Sequence, residues 1–150
     1  MRIVVQRVTQ ASVTINNQVK GEIGLGLLLL AGFTNDDTEE DLKWIANKVV
    51  QLRIFSDDKD KMNLSVQDVQ GDVLVISQFT LYALTKKGNR PSYIQAAPPA
   101  VSIPLYERFV ALLEEALGKK VQTGEFGADM KVALLNDGPV TIVIDSKNRE

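Results

Sequence analysis

Ten residues, Gly24 to Phe33 (GLGLLLLAGF), are apolar on both faces of any strand they could form, and this run restricts the fold more than any other segment. Such a strand is stable only with protein packed against each side, so it predicts a central position in a covered sheet. The uninterrupted apolar stretch, Leu27 to Ala31, falls well short of the ~20 residues that a membrane span needs.

The neighbouring segments supply strands on either side. Arg2 to Thr9 is rich in β-branched residues, and Ala11 to Ile15 and Gln18 to Ile23 flank Asn16-Asn17, a polar break suited to a hairpin. A first helix is signalled by Asp37 or Thr38 as cap, followed by Glu39, Glu40 and Asp41 at its positive end. Leu42, Ile45, Ala46, Val49 and Leu52 then recur at helical spacing. Arg53 to Phe55 reads as a short strand, Ser56 to Lys61 as a solvated loop, and Asp72 to Phe79 as a strand. Thr80 to Arg90 is a polar loop. Pro98, Pro99 and Pro104 surround the start of a second helix, with Leu105, Phe109, Leu112, Leu113 and Ala116 as its buried face and Gly118 as its stop. Val121 to Gly124, Met130 to Leu135 and Val140 to Asp145 complete the strands. Many strands with two helices, outside regular βαβ alternation, predict an α+β layered fold. No repeat, linker or low-complexity tract interrupts the chain, so residues 1–150 read as one domain.

The chain contains no histidine and no cysteine. Ser-His-Asp and Cys-His arrangements are therefore excluded, as are disulfides, a thiolate nucleophile and the usual structural zinc site. An enzyme built from this sequence must use carboxylates, lysine, hydroxyls, backbone dipoles or its own substrate. The net charge of -2 argues against a protein that tracks a long nucleic-acid backbone, DNA included. Any nucleic-acid contact is expected to be local, with a shallow salt dependence. Strand-like sequence begins at Arg2 without an apolar leader or cleavage site, which predicts a soluble cytoplasmic protein with no membrane contact.

Four segments could carry chemistry. Ser77-Gln78-Phe79-Thr80 lies where a buried strand runs into a loop, offering hydroxyls, an amide and main-chain N–H groups. The plainer reading is a polar strand end whose hydroxyls cap the next turn. Asn136-Asp137-Gly138-Pro139 separates two strand patterns, and an ordinary hairpin turn is the favoured reading. Glycine there would admit close approach of a ligand, and proline could take the cis form. Lys86-Lys87-Gly88-Asn89-Arg90 is a compact basic stretch, either solvated or facing phosphate. Asp57, Asp58 and Asp60 lack the glycine and distal glutamate of an EF-hand loop and read as surface, leaving no metal site and no cofactor.

Taken in order, several motifs resemble the D-aminoacyl-tRNA deacylase family. They are Gln6-Arg7-Val8, Ala11-Ser12-Val13, Arg53-Ile54-Phe55-Ser56-Asp57, Lys61-Met62-Asn63-Leu64, Ser77-Gln78-Phe79-Thr80-Leu81, Arg90-Pro91-Ser92, Gly127-Ala128-Asp129-Met130 and Asn136-Asp137-Gly138-Pro139-Val140-Thr141. The family often carries glycine where Ala83 follows Tyr82, a departure beyond the site. The pairing of Ser77-Gln78-Phe79-Thr80 with Gly138-Pro139-Val140-Thr141 sides with the D-specific type over the animal-type enzyme that tolerates L-alanine.

The resemblance implies mixed β-sheets in a barrel-like β/β/α arrangement with two main helices, and a homodimer. It implies hydrolysis of the ester of D-aminoacyl-tRNA, and of glycyl-tRNA, at the acceptor end. Gly138 and Pro139 of one subunit, in the cis form, would enter the partner's site, where main-chain carbonyls meet the substrate's α-amino group and exclude an L side chain. Arg7 would hold that loop. Ser77, Gln78, Phe79 and Thr80 would form the catalytic side, with N–H donors of Phe79 and Thr80 near the scissile ester. Phe126 and Met130 would line the pocket for the terminal adenosine. With no histidine or cysteine to activate it, Thr80 reads as a positioning group in preference to a nucleophile, lysine activation being the route left open to attack, and the ribose 2′-OH of the substrate assists. A non-catalytic binder of the tRNA acceptor end and an aspartate-metal hydrolase are the competing readings.

Overall fold

The computed structural model describes residues 1–150, and in it the doubly apolar run becomes β3 (Gly26–Gly32), inside a six-stranded sheet. Antiparallel to it on one side runs β1 (Arg2–Ile15), and parallel to it on the other runs β6 (Asp72–Ser77). Beyond these lie β2 (Gln18–Ile23) and β7 (Gln122–Thr123), while β8 (Lys131–Asp145) pairs with the remaining edge of β1. A separate two-stranded sheet joins β4 (Phe55–Ser56) to β5 (Met62–Leu64).

Two cores explain why β3 is apolar on both faces. Leu27 and Leu29 join Ile3, Val5, Val73 and Val75 in a cluster with the helices. Leu28 points the other way, into a smaller cluster with Val8, Ala11, Val13, Ile23, Leu74 and Ile76. The second half of β1 thus folds back with β2 over the sheet face that the helices leave open. Burying a leucine or valine side chain contributes about 1.5–3 kcal/mol, so neither face can be surrendered cheaply. A Cβ on Gly21 of β2 would lie 2.8 Å from Thr123 O of β7. Glycine there lets the flanking strands approach until the sheet nearly closes, giving the barrel-like β/β/α layering expected of an α+β chain.

The helices are α1 (Glu39–Gln51) and α2 (Pro99–Leu117). Thr38, rather than Asp37, caps α1, and Asp41 returns the bond to the Thr38 N–H in a capping box. Gly118 ends α2 in the left-handed region at φ 78°. The buried stripe of α2 includes Ser102, Tyr106, Phe109, Leu112, Leu113 and Leu117, whereas Leu105 and Ala116 are only partly buried. Leu52 likewise falls at the C-cap of α1 rather than on its buried face.

Several expected boundaries need correction. Arg2 to Thr9 and Ala11 to Ile15 are one strand, and Phe79 lies outside β6. The strand expected at Arg53 to Phe55 is Phe55–Ser56. Asn136 to Pro139 do not form a hairpin turn: residues 131 to 145 are one strand, antiparallel to β1 on both sides of an interruption. Thr141 pairs with Gln6 and Asn136 with Val8, so Asp137 to Val140 bulge out of the ladder.

Candidate active site

The parallel pairing of β3 with β6 ends at Ala31 and Ser77, and Gln78 N–H closes it with a 2.7 Å bond to Ala31 O. The chain then turns sharply into a 3₁₀ helix, Phe79–Tyr82, which makes its bonds through the N–H groups of Leu81 and later residues. The first N–H groups of a helix have no partner inside it. None of the turn, loop or side-chain bonds uses the N–H of Phe79 or Thr80. Two adjacent main-chain donors therefore stand unpaired at the strand's end. Gln78 Nε2 donates to Thr80 Oγ1 and fixes that hydroxyl.

Beside these donors opens a cavity of about 290 Å³. Ser77, Gln78 and Phe79 line it together with Phe126 and Met130, and Ala31, Phe33 and Ile76 add apolar surface. Tyr106 stands edge-on behind Phe126 at 5.9 Å and donates to Val75 O at 2.9 Å. Burial pushes its phenol up to about 12, so it stays neutral near pH 7. Asp129 is the one ionisable lining residue, and it is exposed and paired with Lys131 at 2.9 Å. The cavity thus offers donors for a developing negative charge and apolar walls for a flat ring, with no evident general base.

The second group of expected residues sits elsewhere. Arg7, only 9% exposed, donates from Nη1 to Ile54 O at 2.6 Å and from Nε to Asp137 O at 2.9 Å. It also lies 3.2 Å from Asp137 Oδ2. These contacts pin the bulge of β8 from below. Above them Gly138 and Pro139 are exposed, joined by a cis peptide bond. Gly138 has φ 133°, and a Cβ there would meet Val140 N at 2.9 Å and an Arg7 Nη at 3.1 Å. Neither Gly138 nor Pro139 lines the cavity. From Val132, which does, Gly138 is six positions along β8, roughly 15–20 Å at the rise of a strand.

The structure therefore brings Ser77, Gln78, Phe79, Phe126 and Met130 together, with Thr80 held beside them by Gln78 and outside the cavity lining. Arg7, Gly138 and Pro139 make a separate, outward-facing unit. Sequence reasoning missed Ala31, Phe33, Ala97 and Ser102 as cavity residues. The signal for Ala31 was a small residue closing a run of leucines, and it acquires meaning only once β3 is known to pair with β6. Asp57 is occupied in its own turn, accepting from the N–H groups of Lys59 and Lys61.

A family model described as D-Tyr-tRNA(Tyr) deacylase matches residues 4–145. A D-aminoacyl-tRNA deacylase of Flavobacterium johnsoniae is 63% identical, and one of Bacteroides thetaiotaomicron 61% identical, each over 150 residues and the whole of both chains. Among solved structures, one named c-Myc DNA Unwinding Element Binding Protein is similar with a TM-score of 0.92 at 39% identity, covering 97% of this chain and 98% of that one. A probable eukaryotic D-amino acid tRNA deacylase has a TM-score of 0.82 at 20% identity, covering 95% and 97%, and so supports the fold alone.

Proposed function

The chain belongs to the D-Tyr-tRNA(Tyr) deacylase family, and from that membership we propose how its two separated units share one reaction. The coarse activity is that of the family: it is a hydrolase acting on aminoacyl-tRNA, with D-aminoacyl-tRNA deacylase activity. The finer assignment is our reading. The acceptor end of the tRNA enters the cavity with its terminal adenosine between Phe126 and Met130. The ester carbonyl then lies against the N–H groups of Phe79 and Thr80. The single observation that carries this is the unpaired state of those two donors beside an apolar cavity without a base. Charge develops on the carbonyl oxygen during attack, and preorganised donors aimed at it stabilise the transition state. The substrate's 2′-OH assists attack, Gln78 orients Thr80, and Ser77 fixes the strand end.

Selectivity is assigned to the other unit. In a homodimer, the exposed Gly138–Pro139 bulge of one subunit reaches the partner's cavity, held out by Arg7. Its main-chain carbonyls accept from the substrate's α-ammonium and occupy the space that an L side chain needs. Backbone cannot read side-chain chemistry, so many D-aminoacyl esters are accepted. Glycyl-tRNA, with no side chain to exclude, is accepted too. Support comes from the bulge's exposure and its distance from its own cavity. No helix is long and apolar enough to cross a membrane, and an enzyme that proofreads aminoacyl-tRNA would work in the cytoplasm beside translation.

The test follows ester loss from D-tyrosyl-, L-tyrosyl- and glycyl-tRNA. Clearance of the D and glycyl esters with the L ester spared is expected. Equal clearance of D and L esters would sink the selectivity assignment, and no clearance above buffer would leave only a binder of the acceptor end. Loss of activity on thorough chelation would favour the metal-dependent alternative.

A further inference from the structure

From Val73 to Tyr106 the sequence contains no acidic residue, yet it holds Lys86, Lys87 and Arg90. None of these three takes part in an ion pair or hydrogen bond, although ten ion pairs are made elsewhere. With the whole chain at -2, the remainder without these cations carries -5. The three therefore form a compact group of uncompensated positive charge on an otherwise acidic chain. Most charge runs are merely solvated, so position has to decide whether this one does more.

Position ties it to the cavity. The 3₁₀ helix that presents the unpaired donors ends at Tyr82, and two residues later Leu84 enters a bridge with Ser92. Leu84 N–H donates to Ser92 O at 2.8 Å, and Ser92 N–H to Leu84 O at 3.0 Å. This bonded pair holds the intervening loop out from the body, with every residue from Thr85 to Arg90 exposed. At the loop's base, Tyr93 packs edge-on against cavity-lining Phe79 at 5.0 Å between centroids. Ile94 beside it is 83% exposed. A surface that leads from the cavity wall through an aromatic pair to three unpaired cations matches a polyanion bearing unpaired bases.

We propose that residues 84–94 form an arm that docks the acceptor stem of the tRNA, with Lys86, Lys87 and Arg90 against its phosphates. This rests on the reading that an aminoacyl-tRNA end occupies the neighbouring cavity. The contact is local, which reconciles an acidic protein with an RNA substrate. It also assigns these cations to KM rather than to the chemical step, because they lie beyond the ester.

The experiment compares wild type with the triple variant K86A/K87A/R90A on two substrates, D-tyrosyl-tRNA and D-tyrosyl-adenosine, which lacks the stem. On the tRNA, KM should rise with kcat little changed, and the salt dependence should flatten. Losing three phosphate contacts on a duplex stem lowers the log–log slope by about 2.7, so raising salt from about 50 to 200 mM should cost wild type roughly 40-fold more kcat/KM than the variant. The adenosine ester should be cleaved equally by both. K86R/K87R, keeping charge, should behave as wild type on the tRNA. An unchanged KM and salt slope overturns the arm, and so does an equal loss on the adenosine ester, which would mean a damaged cavity. A wild-type chain inert toward both esters would instead sink the cavity assignment itself.

Discussion

Thr80 is the residue on which mechanism turns, because its hydroxyl invites the role of nucleophile. Its surroundings argue otherwise. The one partner of Oγ1 is Gln78 Nε2, a donor, and an amide cannot take the hydroxyl's proton. No histidine or cysteine exists anywhere in the chain to do so. A nucleophile without a base gains nothing from position alone. Replacing Thr80 with alanine keeps the main-chain N–H and removes only the hydroxyl, so single-turnover cleavage of D-tyrosyl-tRNA should stay within roughly 10-fold of wild type. A loss on the order of 10⁴ or more would identify direct attack by Thr80. The residues of this site were legible to different degrees. Ser77 to Thr80 stood out because polar residues close an apolar strand. The unpaired state of the Phe79 and Thr80 N–H groups did not, since it depends on Gln78 N–H being taken by Ala31 O across the sheet.

At the level of elements, local signals were reliable wherever the sequence itself sets the boundary. The charged first turn of α1, the Asn16-Asn17 break and Gly118 all did so. Reading failed at residues 136–139, where turn-forming residues sit inside a continuous strand because β1 supplies pairing on both sides of the bulge. On α2 it was right for Phe109, Leu112 and Leu113 but missed Tyr106, which is buried in preference to Leu105 and whose hydroxyl donates to Val75 O. The capping box of α1 carries a prediction of its own. Burial of Asp41 opposes its charge, but Lys147 Nζ at 2.6 Å and both Thr38 donors more than offset this. Its carboxyl titrates well below the ordinary value of about 4. A depressed folded value means that the stabilisation is complete above the unfolded value and is lost as pH falls toward the folded one. Asp41→Asn should melt lower than wild type at pH 7, and the gap should close steadily as the melts are repeated from about pH 4 downward. A gap independent of pH would show that Asp41 acts through shape alone.

For the whole molecule the open question is whether one chain holds a complete site. β8 pairs with β1 on one side only, and its outward surface exposes Leu135 at 55% and Val143 at 71%. A long strand with a free edge and apolar side chains invites a second copy. If the Gly138 bulge serves the partner's cavity, two different lesions should complement each other. Gly138→Trp would plug the partner's cavity, and Ala128→Trp would plug its own, so each variant alone should be inactive toward D-tyrosyl-tRNA. In a mixed dimer one composite site carries both lesions and the other carries neither. After unfolding and refolding an equimolar mixture, half the dimers are mixed, so about a quarter of all sites should work. A site built within one chain leaves every site damaged, and the mixture would then stay as inactive as its parts. Recovery of activity on mixing, measured against co-refolded wild type, therefore separates the two architectures without any structure of the dimer.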